Sequence, residues 1–118
     1  MEKNLGERLY NFALNIINLV RILPKGMVAQ EIGKQLLRAG TSIAANYEEA
    51  KGAFSKEDFT YKIGISFKEA RETNLWLRLL KDSGVVTGEV LDSIIQESEE
   101  VRNILGKSFS TARKKNKN

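Results

Sequence analysis

The 118 residues are 42% apolar and 29% charged, the balance of a single soluble globular domain with a real core. They include no cysteine and no histidine, which excludes disulfides and thiolate metal sites and removes the usual neutral-pH general base and commonest metal ligand. The formal charge of +4 belongs to the last six residues, RKKNKN, whose four bases stand without an acid; the other fifteen bases are matched by fifteen acids. A pI argument for nucleic-acid binding therefore applies only to that tail.

The N-terminal segment is charged and no apolar core of a signal peptide follows it directly. The longest uncharged run, from Leu9 to Val20, is too short to span a bilayer and contains three asparagines. A cytoplasmic protein without membrane partners is expected. Leu5, Leu9, Phe12, Ile16, Leu19 and Leu23 recur at steps of three and four, the spacing of one helical face. This predicts a first helix over residues 5–23, ended by the single proline, Pro24.

The second helix is expected over 28–51, with Val28, Ile32, Leu36, Ala39, Ile43, Tyr47 and Ala50 as its core row. Gly33, Gly40 and Ala44 form a small flank beside that row. A glycine inside a helix costs about 1 kcal/mol relative to alanine, and close approach of another helix is the natural compensation. On the other flank lies a polar row: Glu31, Gln35, Arg38, Ser42, Asn46 and Glu49.

Gly52 breaks this helix, and Ser55 is placed to cap the third, expected over 56–83. Asp58 sits where a capping box has its acid, and Phe54 and Phe59 match a hydrophobic staple. The third helix carries an inner row of Phe59, Ile63, Ala70, Leu77 and Leu80, with Ser66, Thr73 and Asn74 interspersed. A second apolar row, Tyr61, Ile65, Trp76 and Leu79, is rotated well away from the first. A helix apolar on two sides is buried on two sides, so these four residues are the candidate oligomer contacts. Gly84 is placed to end this helix and Thr87 to cap a fourth over 88–111, with Val90, Leu91, Ile94, Val101, Leu105 and Phe109 inward. Four helices with short connections predict an all-α, antiparallel up-and-down four-helix bundle over 1–112, followed by a basic disordered tail over 113–118.

Bundle interiors can hold metals, but the di-iron pattern needs Glu-x-x-His pairs, which a chain without histidine cannot form. Glu31, Glu48 and Glu49 could supply oxygen ligands to a hard cation, yet read more simply as solvated or ion-paired side chains. No phosphate loop and no nucleophile with a base partner is evident. No catalytic residue, metal or cofactor is expected. Arg38, Ser42, Asn46 and Glu49 form the candidate polar stripe. They read either as alignment, with Arg38 and Glu49 paired across helices and Ser42 and Asn46 satisfied locally, or as an exposed groove for a ligand. Arg113, Lys114, Lys115 and Lys117 are the candidate nucleic-acid contacts; four charges imply a salt slope of roughly −3 to −4.

The segments RAGTSIAANYEEA (38–50), SKEDF (55–59) and KIGISFKEARETNLWLRLL (62–80) together resemble the bacterial four-helix-bundle proteins related to the 23S rRNA intervening-sequence protein. Much of that family has Asn-Ile-Ala-Glu-Gly where this chain has Asn46, Tyr47, Glu48, Glu49 and Ala50, a variant form. The resemblance implies a bundle assembling as a ring, typically a homopentamer, and an association with RNA or a nucleoprotein partner in some members. The expected function is a non-enzymatic homo-oligomeric module that binds RNA or a nucleoprotein; a protein-binding scaffold without nucleic acid is the alternative.

Overall fold

The computed structural model describes residues 4–116. Within them lie four helices: α1 (Leu5–Arg21), α2 (Met27–Lys51), α3 (Lys56–Asp82) and α4 (Glu89–Asn116). Each packs on its neighbour in sequence, α2 against α3 most extensively, and α1 closes lightly onto α4. The result is an antiparallel up-and-down bundle 50 Å long and about 20 Å across. The core is the inner stripe of each helix: Leu9, Phe12 and Ile16 from α1, Leu36 and Ile43 from α2, Ile63 and Leu77 from α3, and Val101 and Leu105 from α4. Side chains of this size each stabilise the fold by roughly 1.5–3 kcal/mol when fully buried.

The small flank of α2 serves close packing. A Cβ at Gly40 would stand 2.8 Å from Cγ2 of Ile16, and one at Gly33 would stand 2.9 Å from Cδ1 of Leu23. Gly40 thus lets α1 and α2 approach where alanine would collide with Ile16, while at Gly33 the neighbour is the movable end of Leu23, just past α1. The α3–α4 contact repeats the device reciprocally: Phe109 lies over Gly64 and Phe67 over Gly106, with the two rings 6.1 Å apart.

The helix ends follow local chemistry, with several departures from expectation. Ser55 caps α3, its hydroxyl accepting from the Asp58 N–H at 3.0 Å. Phe54 is 102% exposed and so forms no staple with Phe59. Gly84, at φ +78°, closes α3 as expected. Thr87 does not cap α4: Gly88 precedes the helix at φ +122°, a backbone that threonine rarely adopts, and its carbonyl accepts from the Asp92 N–H. The inward face of α2 begins at Ala29 rather than Val28, which is 57% exposed, and Val90 is likewise exposed at the start of α4. In both first turns the helix presents the next residue to the core.

The first helix ends two residues earlier than the spacing suggests, and the fourth runs five residues further, through Asn116. The extension has identifiable supports. Ala112 is buried, the Arg113 guanidinium lies 5.3 Å from the Phe109 ring centroid, and the Asn116 amide donates to Oγ1 of Thr60 at 2.7 Å. Cations in a last turn also complement the helix dipole. Residues 113–116 are therefore helical, while Lys117 and Asn118 lie outside the described residues.

With 17 residues against 28 in α4, α1 is the short member of the bundle. Arg8 ties it to α4 at Glu97, through two hydrogen bonds of 2.7 and 2.8 Å, and at Glu100. Beyond that clamp the C-terminal third of α4 borders a groove that no residue of α1 lines.

Candidate functional site

The polar stripe of α2 faces α3, and its members are satisfied one by one. Arg38 donates to both carboxylate oxygens of Glu69, at 3.2 and 3.3 Å, and to Glu72. Glu49 accepts from Nζ of Lys62 at 2.7 Å. Ser42 donates to the Arg38 carbonyl at 2.6 Å and Asn46 to the Ser42 carbonyl at 2.8 Å, both within the helix. Arg38 and Glu49 thus pair across helices, each with its own partner on α3. Glu31 is exposed and Gln35 half-buried at the upper end of the row. Arg38, Ser42, Asn46 and Glu49 thus each hold a partner within the protein, along the seam between α2 and α3.

Its electrostatics centre on two acids that the sequence did not single out. Glu69 is mostly buried, and burial, followed by its hydrogen bond with Glu72, pushes its carboxyl above the ordinary range despite the opposing pull of Arg38. Burial acts on Glu72 in the same direction, but the hydrogen bonds from Arg38 and Glu69 outweigh it and hold that carboxyl below its ordinary range. The two acids share one guanidinium and titrate as a pair. Arg38 is in turn more firmly protonated, chiefly through the hydrogen bond to Glu72. Among the described residues no cluster of three or more acids could hold a metal ion.

A second polar cluster lies inside the bundle. Asn74, 1% exposed, donates to Oγ of Ser98 at 2.8 Å and accepts from Nε of Arg78 at 2.8 Å and Nη1 of Arg102 at 3.1 Å. Ser98 in turn donates a hydrogen bond to the Ile95 carbonyl, and Ser66 donates to the Ile43 carbonyl across the α2–α3 contact. Thr73 donates to the Glu69 carbonyl at 2.7 Å within α3, so Ser66, Thr73 and Asn74, the polar residues of its inner row, are all partnered. These contacts fix the relative heights of three helices. The signal for them was a polar residue in an apolar row, which indicates a partner without saying which.

The candidate oligomer residues all lie on α3 but are unequal. Tyr61 is 65% and Leu79 41% exposed, whereas Ile65 and Trp76 are half-buried. Trp76 packs against the core, and its indole N–H is buried without an acceptor among the described residues. The candidate nucleic-acid contacts Arg113, Lys114 and Lys115 form the exposed last turn of α4; Lys117 lies outside the described residues.

That last turn also borders the groove, of about 860 Å³, between the C-terminal ends of α2 and α4 and the start of α3. Ala50, Ala53, Phe59, Ile104 and Ala112 supply apolar walls. Lys51, Lys56, Lys107 and Lys115 line it without a single acid, and Phe54 stands at its edge. Sequence periodicity could not find this feature, because it joins three helix ends distant in the chain.

The described molecule is thus a helical bundle whose interior polar groups hold helices in register, with a basic, partly apolar end. The chain belongs to the 23S rRNA-intervening sequence protein family, whose profile matches residues 4–107. It is also similar to a solved protein of unknown function from the S23 ribosomal protein family of Bacteroides thetaiotaomicron. The two are 37% identical, with a TM-score of 0.78 over 89% of this chain and 97% of that one. No curated protein matches the chain. No described helix is long and apolar enough to cross a membrane.

Proposed function

We propose that this protein is a non-enzymatic, cytoplasmic, homo-oligomeric bundle, a pentamer as the resemblance implies, that binds RNA or a nucleoprotein through the basic end of α4. One observation carries the reading. Every charged residue from Glu89 to Glu100 is acidic, and every one from Arg102 onward is basic. The acidic half is engaged by Arg8 and Lys81, through Glu97, Glu100 and Asp92, whereas Arg113, Lys114 and Lys115 face solvent together. A cluster of unmatched cations attracts phosphates, and its repetition in an oligomer multiplies a grip that is weak in one copy. The family's name supplies the RNA context.

A labelled rRNA-like hairpin should bind with strong salt dependence, and removal of residues 113–118 should weaken binding and flatten that dependence. Absence of binding by both proteins at low salt would remove the reading. The assembly is tested separately: light scattering at micromolar concentration should give a multiple of the chain mass, and a monomer mass would contradict it. The groove favours a second reading, a protein-binding adaptor, in which a partner survives nuclease treatment.

A further inference from the structure

We propose that the groove between the ends of α2 and α4 is a seat for one amphipathic, acidic helix of a partner protein. The inference shares Lys115 with the RNA reading but otherwise concerns walls that reading does not use, from the ends of α2 and α3 and from Ile104 to Ala112 of α4.

Three observations select this occupant. The first is shape. The groove follows α4 from Ile104 to Asn116, roughly 18 Å at 1.5 Å per residue, the length of three turns of helix. Among the described residues the groove is lined by α2, the α2–α3 connection, α3 and α4, while α1 meets α4 higher up, at Glu97 and Glu100. A helix laid here would run along α4 beyond that clamp, and an apolar groove between helices accepts the apolar face of such a segment.

The second is charge. Lys51 and Lys56 flank one side and Lys107 and Lys115 the other, with no acid among the lining residues. Lys51 is engaged by Glu48, but Lys56, Lys107 and Lys115 form no ion pair among the described residues. Acids on both flanks of the incoming helix would answer them. The third is Phe54. A phenylalanine at 102% exposure contributes nothing to this fold, and at the edge of an apolar groove its ring is placed as an anchor for a partner. Nucleic acid fits less well: the walls are built from alanine, isoleucine and phenylalanine, which suit aliphatic side chains better than a sugar–phosphate chain.

The test uses the full chain and a labelled synthetic helix of about 16 residues, with leucines at i, i+3, i+4 and i+7 and glutamates on both flanks. Fluorescence anisotropy should report saturable binding. A scrambled peptide of the same composition and a version with every Glu replaced by Lys should fail to bind. Phe54→Ala, and the double substitution Lys56→Glu with Lys107→Glu, should each weaken binding about tenfold or more, a change of about 1.4 kcal/mol or greater. All three residues are exposed, so the helical circular dichroism and melting temperature should stay close to those of the parent. Thr111→Trp should block the groove outright. In the full chain carrying Arg113→Glu and Lys114→Glu, neither of which lines the groove, the hairpin should be lost and the peptide kept.

Equal binding of the scrambled or lysine peptide would overturn the proposal. So would displacement of the peptide by short single-stranded RNA, which would assign the groove to nucleic acid. If the Phe54 and lysine variants instead change the oligomer mass without changing peptide binding, the groove is filled by a second copy of this chain and the proposal fails.

Discussion

Gly40→Ala isolates the force that sets the α1–α2 distance. The new Cβ would stand 2.8, 2.9 and 3.2 Å from Cγ2, Cγ1 and Cβ of Ile16, a side chain with 0% exposure. Because the contact includes the branch point itself, rotation of Ile16 cannot relieve it, and either α1 or α2 must shift. Overpacking of this kind costs about 1–3 kcal/mol, against about 1 kcal/mol gained by replacing a helical glycine. The net expectation is destabilisation by about 1 kcal/mol. A domain of this size loses about 4 °C in melting temperature for each kcal/mol.

Gly33→Ala supplies the contrast. There the new Cβ would meet only Cδ1 of Leu23 at 2.9 Å, the far end of a flexible, half-buried side chain, with Val20 at 3.7 Å. Leu23 can move, so the propensity gain prevails and the variant should be more stable than the parent by several tenths of a kcal/mol. Urea unfolding of both variants, with constant m-values, reads the difference. Combining Gly40→Ala with Ile16→Ala should cost less than the sum of the single changes, since the clash is removed with the isoleucine, by a coupling of about 0.5–3 kcal/mol. Equal stabilisation by alanine at both positions, or strict additivity in the cycle, would refute this account of the close approach.

Three further outcomes follow from the polar contacts. Asn74→Ala strips Ser98, Arg78 and Arg102 of a common partner inside the bundle and should cost about 1–3 kcal/mol in denaturant unfolding; a loss below about 0.5 kcal/mol would mean that the cluster is solvated. Ser55→Ala removes the hydroxyl that accepts from Asp58 and should cost about 1 kcal/mol, whereas Ser55→Gly should cost only a few tenths. Glu69 has a folded pKa raised above its ordinary value of 4.5, so its contribution to stability is fully present below 4.5 and is lost as pH rises through the folded value. The stability difference between the parent and Glu69→Gln should therefore move against the parent as pH rises across that window. Glu72, held low, should give the opposite trend in Glu72→Gln. A Glu69 difference that moves in favour of the parent with rising pH would contradict the assignment.

The residues that were legible in the sequence are those whose role depends on near neighbours in the chain. The 3.6-residue period of Leu9, Phe12 and Ile16 specified a helix and its inner face, and all three are buried. Gly33 and Gly40, unfavourable for a helix taken alone, pointed to a close neighbour, and both meet one. Ser55 disclosed a helix start because its partner lies three residues away. Helix ends were harder. Thr87 has good capping chemistry, but the turn needed a positive φ, which placed the boundary at Gly88. Phe54 matched the spacing of a staple, yet the loop turns its ring outward. The stop proposed near residue 111 overlooked Ala112 and Asn116, whose support comes from the start of α3. Partners distant in sequence, such as Glu69 for Arg38 or Ser98 for Asn74, were beyond any local pattern.

The distribution of paired and unpaired charge separates structure from function in this molecule. Arg8, Arg38, Lys62 and Lys81 are each matched by an acid on another helix, Glu97 and Glu100, Glu69 and Glu72, Glu49 and Asp92 in turn. These pairs span the α1–α4, α2–α3 and α3–α4 contacts, and a partner that captured one of their members would have to break it first. Exposed ion pairs contribute little to stability, so their value lies in fixing which faces meet and at what height. Lys56, Lys107, Lys114 and Lys115 have no such duty and crowd toward one end, beside a groove and an exposed phenylalanine. Like charges left together unmatched raise the free energy of the isolated bundle through mutual repulsion. An anionic partner would relieve that repulsion at the same time as it covered the apolar walls. Binding at this end is therefore favoured by two contributions that the polar seam of α2 and α3, already neutralised from within, cannot offer.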